Sequence, residues 1–399
     1  VDLIFIDAGG GHRASAFALK AMVEARRNPW QMRMVNLRDL LESVDLIRRI
    51  TGVEVEGFYN GLLKHGVTIG SRAMVTMAHL LIRQMHRRMK AQIAAFYDRP
   101  TPDLVVSLIP HFNRAIYEGL RAADLGRGRR ATPMVTIMTD IADYPPNFWI
   151  ERNLDREHHM ICGSAMAIEQ ATAAGYSSDR VFRTSGMIVR PEFYLPFQHC
   201  RSCERRRLGL DPELPTGLVM FGGFGSRRML TIARQIKNAN LETQVIFICG
   251  RNDRLRRQLE SMRLPFPHHI EGFTREVRYF MRVADYFVGK PGPGSISEAL
   301  VSGLPVIVES NAWTMVQERY NTAWIAQNGV GIVLRSFNEI AAGLTTLLSD
   351  AGQGFRARVN ALNNRALFEI PDILESLIET RDFFREIPEG DFAHRPLSA

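Results

Sequence analysis

Three glycine-rich loops carry the residues best suited to chemistry. Asp7-Ala8-Gly9-Gly10-Gly11-His12, Phe221-Gly222-Gly223-Phe224-Gly225-Ser226 and Lys290-Pro291-Gly292-Pro293-Gly294-Ser295 each follow an apolar run. Consecutive glycines let a backbone approach a ligand closely. A helix starting just after such a loop aims unpaired N–H groups at the same spot, which suits an anion or a polar group. His12 falls at such a helix start. The helix dipole disfavours an imidazolium there, so the ring should stay neutral and able to take a proton as a general base. A capping histidine without chemistry fits the position equally well. Glu298 lies one helical turn past Gly294, where it could bind a ribose diol or simply favour the helix dipole. Neither later loop matches GxxxxGK[ST], and neither is a GxGxxG with an acid about 20 residues on. A P-loop nucleotidase and a dinucleotide oxidoreductase are therefore disfavoured.

The elements that must position these loops alternate between apolar runs and helical patterns. In the first half the strands are expected near Leu3 to Ile6, Leu104 to Ile109, Met134 to Met138 and His159 to Cys162. Helices follow near Arg13 to Arg26, Asn113 to Ala123 and Ala165 to Ala174. The second half repeats the rhythm at Gly217 to Phe221, Gln244 to Cys249, Ala284 to Val288 and Leu304 to Val308. Such alternation indicates parallel, doubly wound α/β sheets. The join falls around Pro191 to Pro215. The pattern predicts two Rossmann-like domains, 1–195 and 196–370, and a tail, 371–399, whose helical stretch Ile373 to Phe384 could cross back to the first domain. Ligands of such sheets bind beyond the carboxyl ends of the strands.

Composition sets the outer limits. The 399 residues are 46% apolar and 23% charged, as in ordinary globular proteins. Lys plus Arg exceeds Asp plus Glu by 50 to 42, a formal charge of +8. This excess suits phosphate-bearing partners. Most of it is local, because 48–90 holds eight basic residues against Glu54 and Glu56. From Met74 onward large apolar residues recur at three- and four-residue steps with Arg83, Arg87, Arg88 and Lys90 between them. That pattern reads as an amphipathic basic helix, either packed on a core with a solvated basic face or lying on an anionic membrane. Met and Leu, rather than stacking aromatics, interleave these charges, so nucleic acid is not an expected partner. No apolar run of about 18 residues occurs, and no transmembrane helix is expected. The chain opens at Val1 without the pattern of a secretory signal, and a short preceding piece is expected. Cys200 and Cys203 form a lone CxxC without the second ligand pair of a structural zinc site, and the cytoplasm is the default compartment.

Taken in order, GGGHRASA, GFYNGLLKHG, the Thr139-Asp140 pair, FGGFGS, FICGRNDRL, EGFTREVRYFMRVADYFV, KPGPGSISEALVSGLPVIV and QERYN resemble the monogalactosyldiacylglycerol synthases and the bacterial diacylglycerol glucosyltransferases of glycosyltransferase family 28. The resemblance spans roughly residues 1 to 345. It implies a GT-B fold of two facing Rossmann-like domains. It also implies inverting transfer of galactose or glucose from a UDP-sugar to diacylglycerol or a related lipid, without a catalytic metal or other cofactor, at the cytoplasmic face of the membrane. By the same resemblance the loops with Gly222, Gly223, Gly292, Gly294 and Ser295 cradle UDP, Phe273 lies in the uracil segment, and Glu298 binds the ribose. Gln317 and Glu318 read the hexose, His12 is the base beside the acceptor loop Gly9, Gly10 and Gly11, and the basic segment meets the bilayer. Lys290 could supply the cation that a metal-free departure of diphosphate requires. Asp140 could orient His12, contact the acceptor, or merely cap its loop. Ile109-Pro110-His111 stands where the family has His-Pro, and Met315-Val316 replaces a usual Pro-Gly. Two other readings remain: a lipid-linked cell-wall precursor as acceptor, and a non-catalytic lipid- or nucleotide-binding protein on the same scaffold.

Overall fold

The computed structural model describes residues 1–6, 11–41, 80, 82–98, 101–144, 148–312, 314–315 and 318–386. Gly9, Gly10, Gln317 and nearly all of the basic segment before Arg83 lie outside these residues.

Twelve strands form two six-stranded sheets. The first holds β1 (Asp2–Phe5), β2 (Arg33–Asn36), β3 (Val105–Ser107), β4 (Met134–Ile137), β5 (His158–Cys162) and β6 (Val181–Arg183), ordered β2-β1-β3-β4-β5-β6. The second holds β7 (Thr216–Met220), β8 (Gln244–Ile248), β9 (His268–Glu271), β10 (Tyr286–Gly289), β11 (Val306–Glu309) and β12 (Gly331–Leu334), ordered β12-β11-β10-β7-β8-β9. All pairings are parallel. Helices cover both faces, so the central strands are buried along their length and read as continuous apolar runs.

The strand orders fix where loops can meet a ligand. In the first sheet the chain winds outward from β1 to β2 and then returns to β3 on the other side. In the second, β7 leads to β8 and β9, and β10 returns beside β7. Each sheet therefore has one switch point, between β1 and β3 and between β7 and β10, where loops part to leave a crevice. The start of the helix Gly11–Ala25 and the loops after β7 and after β10 all lie at these two points.

The chain passes between the two units twice. Ile188 packs in the core of the first sheet and Val189 in that of the second. On the return, Asn364 Nδ2 donates to the Met187 carbonyl at 2.9 Å and Arg365 N donates to Ser185 Oγ at 2.6 Å. The helix Ala366–Glu386 then lies on the helix Gly11–Ala25. Leu367, Ile370 and Leu374 join Ala16 and Leu19 in one core, and Arg26 pairs with Asp372. The segment Pro191 to Pro215 contains the helix Arg201–Arg207, where Cys200 and Cys203 form a disulfide.

The basic pattern expected to run on as one helix is interrupted. A turn at Met85 separates helical residues 82–84 from the helix His86–Phe96. Arg83, Arg87 and Arg88 are exposed, whereas Lys90 is half-buried with its Nζ 3.7 Å from Glu118. Among the described residues no helix is long and apolar enough to cross a membrane.

Candidate active site

On the first sheet, four side chains form a chain of contacts at the carboxyl ends of the strands. His12, at the start of the helix Gly11–Ala25, hydrogen-bonds through Nδ1 to the Thr139 hydroxyl at 2.9 Å. Its ring lies 5.7 Å from that of Trp149, and Trp149 Nε1 donates to Asp140 Oδ2 at 2.8 Å. Trp149 is itself fixed. Asp143 accepts from its backbone N–H and from those of Tyr144 and Ile150, and Asn113 donates to its carbonyl. His111 follows β3 with φ at 66° and sets its ring 3.9 Å from that of Phe148. A bulky residue in that region is uncommon and needs its surroundings to hold it there.

Thr139 holds His12, while Asp140 is engaged with Trp149. Burial lowers His12 to about 4, with the Leu108 carbonyl opposing, which favours the neutral imidazole. Burial also pushes Asp140 up to about 6, while the Trp149 N–H pulls it back. Glu318 adds to the rise and Lys290 opposes it, so the carboxyl senses charges from the second unit. Near neutral pH the site holds an uncharged imidazole and, linked to it through Trp149, a carboxylate close to its titration point, both groups able to move a proton.

On the second sheet the glycine loops converge at the β7–β10 switch point. Gly250 has φ at 62°, and a Cβ there would sit 2.4 Å from the Gly223 carbonyl, so only glycine permits this approach. Next to it, Arg251 N donates to Gly223 O at 2.8 Å, and Asn252 Nδ2 donates to Phe224 O at 3.2 Å. A Cβ on Gly223 or Gly294, by contrast, would meet nothing within 4 Å. Protein packing does not require glycine at those two places, and the space is open to a ligand. The helices Arg228–Ala239 and Pro293–Val301 begin directly after the two loops, bringing their N-terminal N–H groups to the crevice. Ser295 Oγ donates to Gly292 O at 3.2 Å and Asn321 Nδ2 to Pro291 O at 2.7 Å, which closes the third loop.

Charges around this crevice are matched. Lys290 Nζ donates to Glu318 Oε1 at 3.1 Å, so the expected cation is already shared with a carboxylate. Arg228 meets Glu309 at 3.2 Å, and Glu298 accepts from Arg190 Nε at 3.0 Å. Phe273 is 51% exposed, with the Arg251 guanidinium 4.4 Å from its ring centre. Trp149, Arg190 and Arg251 were not assigned a role by sequence reasoning, and Thr139 entered only as part of a motif. Only Thr139 had a local signal, its place beside Asp140. Among the described residues no cluster of three or more His, Cys, Asp or Glu could hold a metal ion.

Residues 218–368 match the glycosyltransferase family 28 C-terminal domain. The monogalactosyldiacylglycerol synthase of Spinacia oleracea is 28% identical over 405 residues, covering 96% of this chain and 73% of that protein. The chain carries a family 28 glycosyltransferase C-terminal domain and is similar to a monogalactosyldiacylglycerol synthase over most of its length. Solved structures place this glycosyltransferase in the GT-B fold. The calicheamicin glycosyltransferase CalG4 superposes with a TM-score of 0.59 at 15% identity, covering 97% of this chain and 98% of that one. Medicago truncatula UGT71G1 complexed with UDP-glucose gives 0.56 at 15%, covering 94% and 98%. At these identities the structures speak for the fold, and the sequence matches speak for glycosyl transfer. The glycosyltransferase thus carries its family-matched domain on the second sheet, and the His12–Thr139 and Trp149–Asp140 contacts on the first.

Proposed function

We propose that this glycosyltransferase moves a hexose, galactose or glucose, from a UDP-sugar to the hydroxyl of diacylglycerol or a closely related lipid, on the cytoplasmic face of a membrane. The observation that carries the reading is the meeting of unlike halves. Open glycine loops and helix N-termini lie at one switch point, and an uncharged His12, linked through Trp149 to Asp140, lies at the other. The loops of Gly222 to Ser226 and Lys290 to Ser295 hold the diphosphate, Phe273 meets the uracil, Glu298 the ribose, and Glu318 with Gln317 the hexose. His12 takes the proton from the acceptor hydroxyl as its oxygen attacks the anomeric carbon from the face opposite UDP, which inverts the configuration. The departing diphosphate is stabilised by the helix ends and by Lys290, without a metal. Similarity to the spinach synthase over 96% of the chain favours a diacylglycerol acceptor, and the exposed Arg83, Arg87 and Arg88 suit an anionic bilayer.

The test is to incubate the purified protein with UDP-galactose or UDP-glucose and diacylglycerol in vesicles containing anionic lipid. A lipid-linked hexose is the expected product, and its absence with every common UDP-hexose overturns the reading. Competition with a polyprenyl-linked cell-wall precursor identifies the acceptor. In the same vesicles, replacing Arg83, Arg87 and Arg88 by Ser should weaken co-sedimentation in a salt-dependent way. Unchanged sedimentation would give these charges another purpose.

A further inference from the structure

Arg190 joins the border between the two units to the nucleotide side of the cleft. The chain leaves the core of the first sheet at Ile188, enters that of the second at Val189, and presents Arg190 next. Arg190 Nε donates to Glu298 Oε1 at 3.0 Å, and its Nη1 lies 3.0 Å from Glu192. The guanidinium also stacks over Phe193, 4.9 Å from the ring centre, and Phe193 is fully buried. Three contacts of different kinds thus fix one arginine. Its grip on Glu298 uses a single carboxylate oxygen, and among the described residues nothing donates a hydrogen bond to Oε2.

We propose that Arg190 is the positioning residue for ribose recognition: it orients Glu298 so that the second carboxylate oxygen is held ready for the 2′- and 3′-hydroxyls of a uridine diphosphate. The inference rests on the UDP-sugar reading above and adds to it the residue on which the diol contact depends. A lone carboxylate on a helix can rotate away, and burial disfavours its charge. Burial does raise Glu298, and Arg190 opposes that rise. The planar guanidinium, held by Phe193 and Glu192, aims its Nε–H at one carboxylate oxygen in a fixed direction, where an ammonium would rotate freely. Arg190 also lies beside the Met187–Asn364 bond that ties the two chain crossings together. The ribose is therefore read at the border between the units rather than deep inside one of them.

Titration of wild type and Arg190→Gln with UDP and with 2′-deoxy-UDP tests this. Wild type should prefer UDP by ~10-fold or more, because a site built to bond a hydroxyl rejects the analogue lacking it. In Arg190→Gln, UDP binding should weaken by about tenfold and 2′-deoxy-UDP binding by less than about twofold, so the preference collapses. In turnover the KM for UDP-sugar should rise while kcat holds, and Arg190→Lys should restore only part of the preference. Equal weakening of both nucleotides would overturn the proposal and make Arg190 a direct phosphate ligand or a purely structural arginine. An unchanged preference in Arg190→Gln would overturn it as well. If wild type fails to bind UDP at all, the UDP-sugar reading itself falls, and this proposal with it.

Discussion

The two sides of the cleft handle charge in opposite ways. On the second sheet, Lys290 has Glu318, Arg190 has Glu298 and Arg228 has Glu309. On the first, the hydrogen-bond partners of His12 and Asp140 among the described residues are neutral: Thr139 and the Leu108 carbonyl for His12, Trp149 for Asp140. A charged side chain held in an ion pair can be handed to a ligand phosphate or hydroxyl. Desolvation without a counter-ion instead raises Asp140 toward neutrality and lowers His12, which favours the unprotonated imidazole that a general base needs. The contrast assigns binding to one wall and proton transfer to the other, and it can be broken on either side.

The largest effect should come from His12→Ala. Turnover should fall by about 10²- to 10⁴-fold while the affinity for UDP in calorimetry changes little. A parallel loss of UDP affinity would mean that the first wall also binds. Next, Lys290→Met should weaken UDP by roughly 10-fold or more, since it removes a charge-assisted contact and leaves Glu318 unpaired. Unaltered UDP binding would show that the helix ends hold the diphosphate alone. The smallest effect is a change of shape. If Asp140 acts as a carboxylate, kcat/KM in wild type should be full above its pKa and decline as pH falls through about 6. Asp140→Asn should lower activity at pH 7 and remove that limb from the pH profile. A variant that keeps the limb would assign it to another group.

How far the sequence alone leads depends on burial and on distance along the chain. The central strands β3, β4, β7, β8, β10 and β11 are apolar nearly throughout, since both faces are covered. They were legible for that reason. The edge strands β2, β6 and β9 were not: Arg33–Asn36 buries only Val35, and Val181–Arg183 and His268–Glu271 bury no residue fully, so composition does not mark them. The glycine loops were legible because each is contiguous. Their partners were not. Thr139 lies 127 residues from His12, and Arg190 lies 108 from Glu298. Neither pairing has a local signature. The bond from Trp149 to Asp140, nine residues apart, has no signature in the sequence either.

The helix Ala366–Glu386 has a consequence for how the protein is made. It covers the apolar face of Gly11–Ala25, so the first domain is assembled from both ends of the chain. On the ribosome, Ala16, Leu19 and Met22 emerge long before Leu367, Ile370 and Leu374 exist. At about 5–20 residues per second, the gap is roughly 20–70 s. For most of that time the second domain is itself still being made, since its core runs to Val359. The nascent first domain must meanwhile keep an incomplete apolar surface from aggregating.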